Sequence, residues 1–231
     1  MPLRRWRPHD TSQGVTVAFQ PTLFGAQEVS FDASFADLRR MTLDERCWLE
    51  YAPGWVRGCD VLFDRIVAAR KWGQRTRRMY ERRVLEPRLT APWNLRSGVP
   101  LDPPILDEMR RCLSARYRVV FDSIGFNYYR DGQDSVAWHG DRISREIEEP
   151  IVVLVSLGEP RKFLLRPRGG GRSLAFHLGR GDLLVTGGKT QREWDHCVPK
   201  VAHAGPRISL AFRYGMDPRA YGRAKAEASQ H

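Results

Sequence analysis

The chain has 231 residues, 42% of them hydrophobic, enough to bury a real core as one large domain or two small ones. Its mean hydropathy of −0.49 and the shortness of its longest apolar run, Ile151 to Leu157, argue against a membrane protein. The formal charge is +11 and the pI about 10.0, and most of the basic residues are arginine, so nucleic acid is the leading expected partner.

The basic N-terminus, Met1 to Pro8, has no apolar segment behind it, which argues against a secretory signal. Four cysteines, Cys47, Cys59, Cys112 and Cys197, show no C-x-x-C spacing, and this reads as a cytoplasmic protein with reduced thiols. Residues 1–10 and 220–231 lack apolar periodicity and read as frayed ends. Alternating Val15, Val17 and Phe19 predict short strands over 15–31, around Pro21. Phe31, Phe35, Leu38 and Met41 give a helical pattern between Phe31 and Leu49, and Thr42 with Glu45 resembles a capping box at a helix start.

Leu62, Phe63, Ile66 and Val67 predict a helix over Asp60 to Trp72. Arg75, Arg77, Arg78, Arg82 and Arg83 follow at once, a composition suited to phosphate or to a solvated face. Residues 87–93 read as an extended loop, and Pro103 to Arg116 as a second amphipathic helix with Ile105, Met109 and Leu113 on one face. From Tyr117 the period becomes two. A long strand is expected over Arg118–Arg130, then strands over 151–157, 162–166, 173–178, 182–186 and 207–214. Gly169 to Gly171 reads as a hairpin tip. Short strands at this spacing imply a mainly β, antiparallel sandwich or barrel, with the preceding helices packed on its outer face.

One polar constellation carries chemistry. His139 and Asp141, separated by Gly140, can reach one ion together if they lie on a strand, and His196 follows at a distance that a jelly roll can close. Two histidines and one carboxylate are the ligand set of a facial triad on non-haem Fe(II), which leaves coordination positions open. Arg207 and Arg213, six residues apart downstream, can hold a dicarboxylate co-substrate against that open face.

Asn127-Tyr128-Tyr129, Trp138-His139-Gly140-Asp141, Trp194-Asp195-His196-Cys197-Val198-Pro199 and Pro206-Arg207-Ile208-Ser209-Leu210-Ala211-Phe212-Arg213 together resemble the AlkB family of Fe(II)- and 2-oxoglutarate-dependent dioxygenases. The resemblance covers roughly residues 85–214 and includes Pro87-Arg88-Leu89-Thr90, a segment found in one branch of that family. It implies a double-stranded β-helix (jelly roll) and oxidative dealkylation of N-methylated nucleobases in DNA or RNA, with release of formaldehyde, succinate and CO2. It also implies His139, Asp141 and His196 as catalytic iron ligands. Arg207 would then meet the distal carboxylate of 2-oxoglutarate, Arg213 would stand near its metal-bound end, and Asn127 and Tyr129 would hydrogen-bond it from the facing strand. One oxygenase domain is expected over 15–215, with a substrate-recognition region at 15–116 and a jelly-roll core at 117–215. An N-terminal extension, 1–14, and a C-terminal tail, 216–231, would flank it.

Two departures from the family pattern stand out. Ser209 occupies a position where many members carry asparagine, and Ile143 one where several nucleic-acid demethylases carry an acid that touches the base. A hydroxylase or demethylase acting on a protein or a small molecule is therefore the alternative reading, and Glu146, Glu148 or Glu149 can stand in for the missing acid. On the substrate side, Trp93 is either one wall of a base pocket, opposite His139, or a buried structural residue. Arg88, Arg75, Arg77 and Arg78 are the expected substrate contacts, with Lys200 a weaker candidate. Alkylated DNA or RNA is the expected partner, bound by a monomer with no obligate protein partner.

Overall fold

The computed structural model describes residues 28–79 and 82–215, so all but the last four residues of the strand region expected over 15–31, and both chain ends, lie outside the described residues. In chain order the elements are β1 (Ser30–Phe31), β2 (Arg39–Thr42), β3 (Cys47–Ala52), β4 (Val56–Arg57), α1 (Cys59–Ala69), β5 (Thr76–Met79), β6 (Arg82–Leu85), β7 (Leu89–Asn94), α2 (Ile105–Tyr117) and β8 (Ser123–Tyr129). There follow β9 (Val136–His139), β10 (Val152–Gly158), β11 (Arg161–Pro167), β12 (Leu174–Leu178), β13 (Asp182–Gly188), the single turn α3 (Thr190–Glu193), β14 (Trp194–Val198) and β15 (Arg207–Arg213). A seven-stranded sheet in the order β2-β3-β13-β10-β15-β8-β7 faces a four-stranded sheet in the order β12-β11-β14-β9, with every pairing antiparallel. The architecture is a jelly roll, mainly β.

The period-two pattern fixes what each face does. On β10, Val153, Val155 and Leu157 point outward to α1 and α2, where they pack with Leu62, Ile66, Leu106, Met109 and Leu113. Val152 and Leu154 point inward to meet Phe163, Leu165 and Val198 of the smaller sheet. The larger sheet is thus buried on both faces, helices outside and sandwich core inside, which explains the unbroken apolar run at 151–157. The hairpin tip is found where expected: β11 and β12 pair, and Gly169, Gly170 and Gly171 between them all have positive φ, a region that residues with a Cβ rarely occupy. Among the described residues no helix is long and apolar enough to cross a membrane.

The helix expected between Phe31 and Leu49 is not formed. Phe31 and Phe35 do pack together on Trp55, with ring centroids 4.9 and 5.9 Å away, but through turns. The Asp32 carboxylate accepts the N–H groups of Ser34 and Ala36, a local bond that competes with a helix. Thr42 ends β2 instead of capping a helix, and Asp44 closes the turn by accepting the Arg46 N–H. Alternation over Cys47, Leu49 and Tyr51, set against β13, is the pattern that prevails. Residues 89–94 are likewise a strand rather than a loop, paired to β8 along its whole length. The strand expected from Arg118 begins only at Ser123, because Arg118 caps α2 in a left-handed conformation at φ 53°. With β2, β3 and β7 in the larger sheet, the stretch before residue 117 builds the sandwich instead of standing beside it.

Candidate metal centre

His139 is the last residue of β9, and His196 lies opposite it on β14 in register. Their ring centroids are 4.4 Å apart. Asp141 lies past the end of β9, so strand alternation does not hold it beside His139; the loop does. Ligand atoms of His139, Asp141 and His196 all lie within 4.8 Å of one another. His139 Nδ1 is 2.8 Å from the Ala137 carbonyl, which favours a proton on Nδ1 and leaves the Nε2 lone pair for a metal. Phe163 stacks on His196 at 5.2 Å and fixes that ring from the sandwich core.

Charge at the centre is arranged for a cation. Burial alone would raise the Asp141 carboxyl, but the Arg213 guanidinium outweighs it, helped by His196 and His139, and holds the group at about 2. Burial and the neighbouring His139 push His196 down to about 4, so its imidazole is neutral and able to ligate at pH 7. Arg213 Nη2 donates to Asp141 Oδ1 at 2.7 Å, while Asp141 Oδ2 is buried with no hydrogen-bond partner among the described residues. Two imidazoles and an ionised carboxylate with one oxygen to spare fit a divalent iron with open positions.

The inner face of β8 and β15 supplies the rest. Arg207 is 1% exposed; its Nε donates to the Leu178 carbonyl at 3.0 Å and its Nη2 to Ser156 Oγ at 2.7 Å. Its Nη1 is buried without a partner, as is Arg213 Nε, and no carboxylate is paired with Arg207 among the described residues. A buried guanidinium with an unused donor fits the distal carboxylate of 2-oxoglutarate. Tyr129 and Asn127 share that inward face, in register with Arg207 and Ser209, and the Arg207 guanidinium lies 5.3 Å from the Tyr129 ring. The seven residues expected to hold iron and co-substrate are therefore brought to one side of the larger sheet or to the strand ends facing it.

The expected substrate contacts divide differently. Trp93 pairs with Ile124 and shares its outward face, inside the core that packs on the helices. Its indole N–H donates to the Val99 carbonyl at 2.7 Å. It therefore stands on the opposite side of the sheet from His139 and is not a pocket wall. Arg88 is no surface phosphate contact either: its Nε donates to Asn127 Oδ1 at 3.1 Å and its Nη2 meets Glu86 at 3.2 Å. It props Asn127 from behind. Arg75 is exposed, and Arg77, Arg78, Arg82 and Arg83 fall on the β5–β6 hairpin, their side chains outside the described residues. That hairpin leaves the sheet beside Gly73, which bridges to Thr90, itself paired with Asn127. Ile143 is buried in the sandwich core, and Glu148 is engaged by Lys189 at 3.0 Å.

Two residues at the site were not anticipated. Gly125 faces inward, and a Cβ there would lie 2.7 Å from Arg213 Nη1, so its bareness opens the path Arg213 takes to Asp141. Gln191 accepts a hydrogen bond from the Asp141 N–H at 3.0 Å. A single glycine inside a strand pattern was the only available signal for the first; a lone glutamine carries none. A second cluster, Asp44, Cys47 and Glu193, is closed by its own neighbours, Trp194 on Asp44 and Arg46 on Glu193.

Comparison with known proteins agrees with this geometry. Residues 103–213 match the 2OG-Fe(II) oxygenase superfamily. The chain is 32% identical over 190 residues to alpha-ketoglutarate-dependent dioxygenase alkB homolog 3 of Bos taurus, covering 72% of this chain and 66% of that protein. It is 31% identical over 193 residues to DNA oxidative demethylase ALKBH2 of Arabidopsis thaliana, covering 65% of this chain and 60% of that one. Among solved structures, OsALKBH1 aligns with a TM-score of 0.54 at 16% identity, over 76% of this chain and 99% of its own, a likeness of fold. The chain spans somewhat less than two thirds of the length of these curated relatives; it carries a 2OG-Fe(II) oxygenase domain and is homologous to alkB homolog 3 and ALKBH2.

Proposed function

We propose that the protein is an Fe(II)- and 2-oxoglutarate-dependent dioxygenase that removes alkyl groups from nitrogen atoms of nucleobases in DNA or RNA. The observation that carries the reading is the convergence of His139, Asp141 and His196 beside a buried arginine with an unused donor. With Fe(II) and 2-oxoglutarate bound, O2 would be the oxidant, taking two electrons from the co-substrate and two from the N-methyl group, so that one O2, one 2-oxoglutarate and the N-methyl base give succinate, CO2, formaldehyde and the unmodified base. His139, Asp141 and His196 would hold the ion. Arg207 fixes the far end of the co-substrate, with Asn127 and Tyr129 beside it and Arg88 bracing Asn127. Arg213 keeps Asp141 ionised and aimed. The apolar residues of the sandwich core keep water from the buried side of the site.

The nucleic-acid assignment draws on the +11 charge, on the basic β5–β6 hairpin springing from beside Asn127, and on relatives named for alkB-type dioxygenase and DNA demethylase activity. With Fe(II) and 2-oxoglutarate, the protein should release formaldehyde from N-methylated oligonucleotides in step with succinate. Formaldehyde absent across such a panel, with succinate still formed, sinks the substrate assignment. The buried, apolar Ile143 favours a second reading, a protein or small-molecule substrate. Salt separates the two: oligonucleotide affinity should fall with a log–log slope of roughly −0.7 for each phosphate neutralised on a single strand, and a flat profile favours the second reading.

A further inference from the structure

Asp141 stands beyond the end of β9, where no strand ladder fixes its N–H. That N–H can only donate, and the atom it meets is Gln191 Oε1 on α3, at 3.0 Å. The requirement turns the other end of the same amide toward β13, where Gln191 Nε2 donates to Thr186 Oγ1 at 2.8 Å. Both side chains are buried, Gln191 at 3% and Thr186 at 2% exposure, and the bond between them is buried, while the bond to the Asp141 N–H is partly so. The Thr186 hydroxyl makes a long contact, 3.5 Å, with the Val152 carbonyl on β10. A line of hydrogen bonds thus runs from the middle of the larger sheet to the loop between two ligands. The loop is also seated close: a Cβ on Gly140 would lie 2.9 Å from the Gln191 carbonyl oxygen and 2.7 Å from Arg168 Nη2.

Two different groups therefore place the one anionic ligand. Arg213 takes Oδ1 of the Asp141 carboxylate, which leaves Oδ2 without a hydrogen-bond partner among the described residues, while Gln191 fixes the backbone from which that carboxylate springs. We infer that Gln191 is a positioning residue for the metal, one that sets where Asp141 stands relative to His139 and His196 and so sets metal affinity. The inference rests on the reading of those three residues as a metal triad. Its physical warrant is that loss of an outer partner which orients a ligand typically costs about 10–100-fold in metal affinity.

The experiment is a titration of the full chain with Co(II), a redox-silent stand-in for Fe(II), read by its visible d–d absorption, beside thermal unfolding of the metal-free protein. Gln191→Leu keeps the volume and removes both bonds. It should raise the Co(II) dissociation constant about tenfold or more, and Gln191→Asn, one methylene short of spanning both partners, should move it in the same direction. Thr186→Val loosens the far support but leaves the Asp141 N–H bonded. It should lower the unfolding temperature while keeping Co(II) affinity within about threefold of the unaltered chain. A merely structural glutamine would instead make all three variants lose affinity in proportion to stability. Affinity within about twofold of the unaltered chain in the Gln191 variants, or an equal loss in Thr186→Val, overturns the inference. Should Gln191→Leu not fold, Gln191→Asn decides. Absence of any Co(II) binding that His139→Ala abolishes would overturn the triad reading itself, and this inference with it.

Discussion

Asp141→Asn is expected to lower both metal affinity and 2-oxoglutarate turnover by at least about a hundredfold, since even outer-shell partners of metal ligands contribute ten- to a hundredfold. The substitution is nearly isosteric, so the loss is electrostatic. It removes the one negative charge among the three ligands, leaving two imidazoles and an amide that binds a divalent ion weakly. It also strands Arg213, whose guanidinium is 17% exposed and donates to Asp141 Oδ1 at 2.7 Å. Removing one partner of a buried ion pair destabilises by about 3–5 kcal/mol, and the hydrogen bond asparagine retains places the expected loss near the lower end. The metal-free variant should therefore also unfold at a lower temperature than the unaltered chain. Succinate formation without added substrate reports the catalytic effect, and thermal unfolding in chelator the structural one. Unchanged stability together with full metal affinity would mean that Asp141 is neither a ligand nor the counter-ion of Arg213.

Arg207→Met should separate stability from function in the opposite sense. Arg207 is 1% exposed, donates to no carboxylate among the described residues, and has its pKa lowered by burial. The protein thus carries a buried cation that is unfavourable until an anion arrives. Replacing buried charge by an apolar side chain of similar length is often neutral or stabilising, here by about 1–3 kcal/mol after the lost hydrogen bonds to Leu178 and Ser156 are set against it. The co-substrate-free variant should accordingly melt at the same temperature as the unaltered chain or higher. Loss of one member of a buried charge pair at an interface costs about 2–5 kcal/mol, so the Michaelis constant for 2-oxoglutarate should rise at least about thirtyfold. Co-substrate at a hundred times the unaltered protein's dissociation constant should stabilise the unaltered protein by about 2.7 kcal/mol and the variant by no more than about 0.9 kcal/mol. A variant that melts earlier and is stabilised by 2-oxoglutarate as much as the unaltered chain would show that Arg207 is a structural staple.

These two residues also show what a sequence can disclose. His139, Asp141, His196, Arg207 and Arg213 stand in motifs whose spacing is their signal, and the structure gathers all five. The strands of the second half were legible because period-two alternation persists wherever one face of a sheet differs from the other. The first half misled for a physical reason. Phe31, Phe35 and Leu38 sit at helical spacing but reach the core through turns, one of them closed by Asp32, and a side-chain carboxylate that satisfies local N–H groups leaves no mark on periodicity. Trp93 was ambiguous because its neighbours do not say which face of β7 looks inward; pairing with Ile124 decides it, and pairing is a long-range property. Gln191 was invisible for the same reason, since its partner lies fifty positions away.

The central claim is that three side chains hold a single ferrous ion, and anaerobic titration with Fe(II) followed by 2-oxoglutarate tests it most directly. One ion per chain is expected, with a visible metal-to-ligand charge-transfer band appearing only when the co-substrate is added, and both absent in His139→Ala and in His196→Ala. Stoichiometric binding with the same band in either variant would contradict it.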